Sequence, residues 1–483
     1  MMIGRGVTGV SMQPLNPNNL TPRPDFALGG ATISPSMRSI RGAAGKAVVE
    51  PRMMQVLVAM AEAPGRLVAR DDLLARCWNG TVVGDDSLNR AIAGLRRALS
   101  AAAGDALRVE TVPGAGYALL IADDGELVSH AIDTGWQSWK LGAPFVDQAA
   151  LGQLRAAAAA APSRADVQGM LALVLRNGAE YADLDLCPEL VRECEGAAAH
   201  ALAIDPAQPH ARAALIGLPP LFGDWTARRP KLLAALEESP DDIVAAHDLC
   251  MLEMATGRPG AAAAISSRLI AIEPLAATLH YKQVYQLWST DQMAAMDRVG
   301  DRGMTLWPRH PTIWFARLWS LTFTGRVRQA IQQLADAPAR PDVPPPALAT
   351  LELTLSSLAD PDDGALHAQA VERNLRSAEQ GPAQGLAAVM HLAGLGEADA
   401  ALRVAEGYLL RRGPVSVGVH KTASDPSITD QHRRVTQMLF LPVTADLRAH
   451  PRFLSLCEEM GLAAYWEAAG VTPDFLIGAD GGT

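Results

Sequence analysis

The sequence predicts an α+β domain at the N-terminus, followed by an all-α body of helical repeats. Residues 26–122 combine short alternating runs, three helical stretches and a glycine-tipped hairpin. Further along, prolines recur every 34 residues, at Pro206, Pro240, Pro274 and Pro308. The composition agrees with a helical body, because only 5% of residues are aromatic and the abundant Ala and Leu favour helix.

The α+β domain begins with a predicted sheet and a predicted helix. Residues 26–50 alternate apolar and polar positions between turn residues such as Gly29 and Pro35, which is typical of a small antiparallel sheet. Pro51 opens the first helix, since its missing N–H costs nothing in the first turn. Apolar side chains then recur at the spacing of one buried stripe: Met54, Leu57, Val58 and Ala61.

Two more helices and a hairpin complete this domain. Residues 71–78 predict a short second helix with acidic residues in its first turn. Asp86 or Ser87 caps the third helix, which runs to about Leu99, and residues 107–121 form the hairpin. One side of the third helix is apolar, and the other side carries Asn89, Arg90, Ala93, Gly94 and Arg97.

This order of elements resembles the effector domain of OmpR/PhoB-type response regulators, a winged helix-turn-helix fold. The resemblance spans residues 25–122 and rests on Arg70, Leu73, Leu74, Trp78, Leu95, Arg96, Arg97, Leu99, Gly114, Gly116 and Tyr117. In that family the third helix enters the major groove of DNA, and the hairpin, or wing, reaches the neighbouring minor groove. The resemblance therefore implies that the domain binds double-stranded DNA.

The resemblance also implies which residues contact DNA. Arg70 and Trp78 fall where the family contacts phosphate, and Thr111 falls at the base of the wing. The contacts implied on the third helix are Ser87, Asn89, Arg90, Gly94 and Arg97. An Arg can fork onto guanine O6 and N7, and an Asn can pair with adenine. Two structural roles stay open as alternatives, namely a core position for Trp78 and an intramolecular ion pair for Arg96.

The body that follows is predicted to be a tetratricopeptide-like solenoid. The 34-residue spacing of the prolines is the period of that helix–turn–helix repeat. Gly257 and Gly325 fit the turn between the two helices, and Ala262 and Ala330 fit the small-residue position where the helices approach. We predict four to seven repeats. Aromatic residues at helical spacing in this region favour an inter-helix core over ligand contacts.

The predicted organisation has six segments. A disordered tail covers residues 1–24, the winged-helix domain 25–122 and a linker 123–147. Helical repeats cover 148–340, a Pro-rich linker 341–346, and further repeats with a C-terminal cap 347–483. A DNA-binding domain placed first is similar to the order in ToxR/CadC-type regulators. Those regulators usually have a membrane span after the domain, and this sequence resembles members that lack one.

Charge and cysteine usage limit the partners and the compartment. Residues 26–122 hold 11 Lys and Arg against 8 Asp and Glu, although the whole chain carries a net charge of −10. Such a balance suits a protein that touches nucleic acid at one end only. The five scattered cysteines are typical of reduced thiols. No apolar run approaches the roughly 20 residues of a membrane span, and the first 25 residues lack the apolar core of a signal peptide. We expect a cytoplasmic protein without a membrane partner.

Motifs for catalysis or metal binding are absent from the sequence. It contains no HExxH, GxSxG or CxxC, and residues 42–46 lack the length and the Ser/Thr of a phosphate-binding loop. Residues 360–364 lack the closing Glu of a calcium loop. We therefore predict neither enzyme activity nor a cofactor.

Two functions remain open at this stage. The first is a sequence-specific transcription regulator whose helical body mediates dimerisation, ligand sensing or binding of a protein or peptide partner. The second is a protein-interaction scaffold whose winged helix no longer binds DNA. Arg90, Arg96 and Arg97 favour the first function, whereas the bare Gly94 and a wing without a basic residue favour the second.

Overall fold

The computed structural model of the chain describes residues 15, 20, 22–42, 44–78, 85–121, 124–142, 144–183, 185–219, 222–223, 225–415 and 435–477. The described residues up to Gly135, together with Gln148–Leu171, form one compact unit. Trp136–Asp147 and the described residues from Ala172 onward form a second unit. The predicted disordered tail lies outside the described residues except near its end, where Leu15 and Leu20 are buried in the core of the first unit.

The first unit begins with a four-stranded antiparallel sheet whose strands lie in chain order. The strands are β1 (Phe26–Leu28), β2 (Ala31–Ser34), β3 (Ser39–Gly42) and β4 (Gly45–Val48). Ile33 of β2 pairs with Ile40 of β3, and both side chains are fully buried. The apolar residues that alternate with polar ones thus lie on one face of the sheet, and that face packs on the core of the domain.

Three helices and a second sheet follow. They are α1 (Pro51–Ala61), β5 (Leu67–Ala69), α2 (Arg70–Trp78), α3 (Asp85–Ala103), β6 (Leu107–Val112) and β7 (Gly116–Ile121). The apolar stripe of α3 is buried against α1 and the sheets, and Leu88, Leu95 and Leu99 are fully buried. Burying each such side chain contributes about 1.5–3 kcal/mol, which fixes the rotation of α3 about its axis.

The structure differs from the sequence prediction at two places in this region. The sequence does not predict β5, a three-residue strand that forms because β7 offers it an antiparallel partner. The predicted linker 123–147 is largely a helix, α4 (Asp124–Leu141). Its buried residues Val128, Ala131, Gly135 and Trp139 follow helical spacing, so the helix has a stripe to bury.

The rest of the described chain is helical. Its helices are α5 (Gln148–Ala160), α6 (Ala165–Tyr181), α7 (Cys187–Ile204), α8 (Pro209–Gly217), α9 (Trp225–Glu238), α10 (Ile243–Ala255), α11 (Pro259–Ile272), α12 (Ala277–Ser289), α13 (Met293–Leu306), α14 (Pro311–Thr322), α15 (Val327–Ala335), α16 (Pro345–Ala359), α17 (Gly364–Ala378), α18 (Pro382–Gly394), α19 (Ala398–Ala405), α20 (Ala445–Ala449), α21 (Phe453–Glu459) and α22 (Leu462–Ala469).

These helices form pairs with the predicted 34-residue period. The first helices of successive pairs start 34 residues apart, at Pro209, Ile243, Ala277, Pro311 and Pro345. The turns inside the first four of these pairs keep the same spacing, since the left-handed residues there are Gly223, Gly257, Asp291 and Gly325, with φ of 85°, 81°, 57° and 77°. The predicted fold class, an α+β winged helix-turn-helix domain followed by an all-α tetratricopeptide-like solenoid, is confirmed.

The predicted Pro-rich linker at 341–346 does not interrupt the array. Helix α16 begins at Pro345, in register with the preceding pairs. The first turn of a helix has no use for the N–H that proline lacks, so prolines are compatible with a helix start. The proline run therefore begins the next repeat and does not separate two arrays. The aromatic residues Tyr281, Trp288 and Trp314 are buried between helices, as expected.

Two features bear on the expected compartment. Among the described helices, none combines the length and the apolarity that crossing a membrane requires. All five cysteines are buried and none is in a disulfide.

Candidate nucleic-acid interface

The outward side of α3 carries two exposed arginines. Arg90 and Arg97 are exposed, as are Asn89 and Ala93 beside them. Neither guanidinium forms a hydrogen bond or an ion pair with any residue that the structure describes. Seven residues of helix separate the two arginines, a rise of about 10 Å. That rise matches about three base steps of a duplex.

A hydrogen-bonded clamp joins α2, α3 and the wing. Arg70 Nη1 donates to the Tyr117 hydroxyl at 2.7 Å, and Arg70 Nη2 donates to Asn89 Oδ1 at 3.2 Å. The Tyr117 hydroxyl donates to the same Asn89 oxygen at 2.9 Å. Tyr117 is only 3% exposed, so the Arg70 and Asn89 side chains are bonded to a group that the core of the domain holds in place. We call Arg70, Asn89 and Tyr117 the clamp triad.

A second contact fixes the wing to α3. Arg96 Nε donates to the backbone oxygen of Val109 at 2.9 Å, and Arg96 Nη2 donates to Thr111 Oγ1 at 2.7 Å. Arg96 therefore bonds within the chain, but both partners are uncharged, so the ion pair considered as its alternative role is not what the structure has. Arg96 is exposed and keeps its positive charge beside Arg97.

Trp78 lies in the core of the domain. Its side chain is 7% exposed, and the Arg52 guanidinium stacks 5.3 Å from its ring centroid. The structure thus agrees with the structural alternative for Trp78, and only a narrow edge of the ring is open to a phosphate. Ser87, in the first turn of α3, is half-buried.

The placement of Gly94 on the exposed side of α3 is wrong. Gly94 is buried, and a methyl group in its place would lie 2.2 Å from Met53 Cε. Helix α1 approaches α3 at this point, so the glycine makes room for Met53. The exposed side of α3 therefore consists of Asn89, Arg90, Ala93 and Arg97, and Gly94 does not belong to it.

The wing is nearly neutral. Strands β6 and β7 pair from Leu107–Ile121 to Val112–Gly116, and the turn between them contains Gly114 with a φ of 73°. The wing's only described cation, Arg108, lies 3.6 Å from Glu110 on the same strand. Thr111 is exposed, but it lies one residue pair from the turn of the hairpin and not at the base, since it pairs with Tyr117 and the turn begins after Val112.

Sequence reasoning missed how these side chains support one another. Tyr117 belonged to the predicted motif without a role, and the structure makes it the centre of the clamp triad. A tyrosine in an otherwise apolar wing strand was the available signal, because a buried hydroxyl needs a partner.

Comparisons with known proteins agree with this geometry. Residues 46–119 match the sequence model of a protein family described as "Transcriptional regulatory protein, C terminal". The chain is 28% identical over 100 residues to the transcriptional activator CadC of Escherichia coli (strain K12). This match covers 20% of each protein, so it concerns one domain and not the whole chain.

One solved structure resembles a larger part of the chain. It belongs to pilF of Pseudomonas aeruginosa, with 15% sequence identity and a TM-score of 0.30. The likeness covers 44% of this chain and 90% of that one. At residues 46–119 the chain thus resembles the DNA-binding domains of OmpR/PhoB-type regulators, and a helical body follows that domain.

Proposed function

We propose that this chain is a sequence-specific DNA-binding transcription regulator. The observation that carries the proposal is the pair Arg90 and Arg97, which are exposed on α3 and have no partner among the described residues. A guanidinium on such a face forks onto guanine in the major groove or binds phosphate. The match to a family of transcriptional regulators supports the same function.

Within this proposal Asn89 has a narrower role than the sequence suggests. Bidentate pairing with adenine needs the Asn oxygen to accept and the Asn nitrogen to donate. Two donors of the clamp triad already occupy Asn89 Oδ1. The Nδ2 group is what remains for a base, and it suits an acceptor such as guanine N7 or thymine O4.

The proposed phosphate contacts are Arg70 of the clamp triad and Thr111 of the wing. Arg70 keeps its charge while it is bonded to Tyr117, so it attracts a nearby phosphate and stays oriented. The Thr111 hydroxyl accepts from Arg96, which leaves its proton for a phosphate oxygen. These contacts position the domain, whereas Arg90 and Arg97 select the sequence.

The proposed role of the helical body is to control the domain by dimerisation, ligand sensing or partner binding. Arrays of helical pairs present continuous surfaces that suit such roles. A domain with few cations also benefits from a second copy on the same DNA.

Selection from a pool of genomic fragments, followed by fluorescence anisotropy with the selected site, tests the DNA-binding function. We expect Arg90→Ala and Arg97→Ala each to weaken specific binding by about 1–3 kcal/mol, or about 5- to 150-fold. Arg298, exposed on α13 of the body, provides the matched control. Arg298→Ala should leave the affinity unchanged.

The alternative function makes the opposite prediction. A scaffold whose winged helix no longer binds DNA would select no fragment above background, or would bind all fragments equally with and without Arg90. Either result rejects the regulator proposal.

A further inference from the structure

The outward side of α3 has an apolar centre between its two exposed arginines. Ala93 is exposed, three residues after Arg90 and four residues before Arg97. Residues at these spacings are neighbours on the surface of a helix, so Ala93 lies between the two arginines on one face. The rise along the helix axis is about 4.5 Å from Arg90 to Ala93 and about 6 Å from Ala93 to Arg97.

A second apolar group, the Met53 side chain of α1, lies over the next residue of α3. A methyl group added at Gly94 would lie 2.2 Å from Met53 Cε and 2.9 Å from Met53 Sδ, so the end of Met53 occupies the space over Gly94. Gly94 is one helical turn from both Arg90 and Arg97, which places the thioether beside both arginines. Met53 is half-buried, so part of it faces solvent. We call Ala93 and Met53 the apolar patch.

The apolar patch offers no strong hydrogen-bonding group to the edge of a base. Ala93 ends in a methyl group, and the Met53 thioether is at most a weak acceptor. The oxygen of the neighbouring Asn89 side chain already accepts from Arg70 and Tyr117. A base that turned a polar edge towards the patch would lose water and gain no partner, which is costly. The patch therefore suits a base that presents an apolar group.

Thymine is the base that presents such a group in the major groove. Its C5 atom carries a methyl group, whereas the corresponding atom of cytosine carries only a hydrogen. Both purines instead present N7 and a second polar group, which is O6 in guanine and the N6 amino group in adenine. Contact between an alanine methyl group and the thymine methyl group is a recognised form of base readout. Burying one such group contributes about fourfold in affinity.

The small size of Ala93 supports the same conclusion. A long side chain at the centre of the outward side would hold the backbone of α3 away from the base edges. Alanine lets the helix approach, while the flexible side chains of Arg90 and Arg97 turn to either side. The competing explanation is that alanine stands here only because it favours helix. That explanation gives no role to a methyl group on the DNA, so changes to the DNA alone separate the two.

We propose that the apolar patch contacts the C5-methyl group of a thymine that lies between the DNA contacts of Arg90 and Arg97. The inference rests on the proposed DNA-binding function and narrows it, because it names one base of the binding site and the residue that selects this base. The rises along α3 place the thymine about one to two base steps from each arginine contact. Ala93 is thus a specificity-determining residue, although it has no polar group.

Fluorescence anisotropy of the full chain with the selected site tests this contact, one base at a time. The positions at which Arg90→Ala and Arg97→Ala relax the sequence preference mark the two ends of a window. Replacing a thymine by deoxyuridine removes only the methyl group and keeps every hydrogen bond of the base pair. We expect deoxyuridine to weaken binding about fourfold at one thymine inside the window, and to leave it unchanged at thymines outside. At the same position, 5-methylcytosine should bind about fourfold more tightly than cytosine.

Ala93→Ser links the effect to the apolar patch, since it adds a hydroxyl group at an exposed position and should remove most of the deoxyuridine penalty. Ala203→Ser, at an exposed alanine of α7 in the body, is the matched control and should keep the full penalty. The proposal is overturned if no thymine in the window responds to deoxyuridine, or if Ala93→Ser keeps the penalty, although the site is still bound. A chain that selects no fragment fails at the earlier step, the DNA-binding function itself.

Discussion

The clamp triad leads to a prediction about Tyr117→Phe. This substitution removes a hydroxyl group that accepts from Arg70 Nη1 at 2.7 Å and donates its proton to Asn89 Oδ1 at 2.9 Å. A hydrogen bond to a charged group contributes about 1.5–3 kcal/mol, and a neutral one about 1 kcal/mol. Arg70 is half-buried and keeps its 3.2 Å bond to Asn89, so water and that bond offset part of the loss. We expect a net cost of about 1–2 kcal/mol to local stability.

Hydrogen exchange of the full chain measures this cost where it arises. A loss of 1–2 kcal/mol corresponds to about 5- to 30-fold faster exchange of amides that open with the wing. We expect this acceleration in β7 and at the start of α2 and α3, without a change in the helical body. Specific DNA affinity should fall several-fold, because Asn89 and Arg70 lose their common support.

Tyr285→Phe is the matched control for this experiment. Tyr285 is buried in the helical body, and its hydroxyl makes no hydrogen bond with the described residues. Its removal should change neither exchange nor DNA affinity. If Tyr117→Phe behaves like Tyr285→Phe in both assays, the clamp triad does not hold the interface.

Four further substitutions test packing, ion pairing and burial, and a fifth, Asp241→Asn, is a control. Gly116→Ala places a methyl group 2.1 Å from a backbone oxygen of β5, so we expect a loss of about 2–4 kcal/mol, seen as faster exchange in β5 and β7. Gly152→Ala meets open space in α5 and should stabilise by up to about 1 kcal/mol. Asp248→Asn removes the charge that forms the two-point ion pair with the buried Arg176 guanidinium, and it should lower the urea midpoint, by about 3 kcal/mol in free energy. Asp241→Asn breaks only an exposed pair and should cost less than about 1 kcal/mol. Burial lowers the pKa of His391 to about 4, whereas an unfolded histidine titrates near 6.5. Between these values a proton binds the unfolded chain more tightly, so the free energy of unfolding should fall by about 3 kcal/mol as the pH drops from about 6.5 to 4. His391→Gln should remove this part of the pH dependence of the urea midpoint.

The parts of the fold that the sequence predicts well are those with local causes. Each proline of the 34-residue series lies in the turn three residues before a first helix, as with Pro240 and Ile243. Glycine takes the left-handed position in the turns inside three of the pairs, at Gly223, Gly257 and Gly325. In the pair that starts at Ala277 this position is Asp291, so a glycine pattern alone misses that repeat. Strand β5 escapes prediction because only its pairing with β7, far along the chain, makes it a strand.

The candidate sites divide in the same way. Spacing along α3 is enough to place Arg90 and Arg97 on its outer side, because the apolar stripe fixes the rotation of the helix. It is not enough for Gly94, whose position depends on how closely α1 approaches.

Under the proposed DNA-binding function, the charges on the interface predict how many copies of the chain bind one DNA site. Each domain offers about four arginines near the duplex, namely Arg70, Arg90, Arg96 and Arg97. A cation in the groove offsets about one phosphate charge, whether it lies on a phosphate or on a base edge. Four such charges give a slope of about −4 for the logarithm of affinity against the logarithm of salt concentration, and two copies give about −7. One copy with so few contacts would bind weakly at physiological salt, and the acidic remainder of the chain adds repulsion. We therefore expect the steeper slope on the selected site, and the shallower one on a half-site. A slope near −1 on either DNA would mean that these arginines do not meet phosphates or bases, and would contradict the proposed interface.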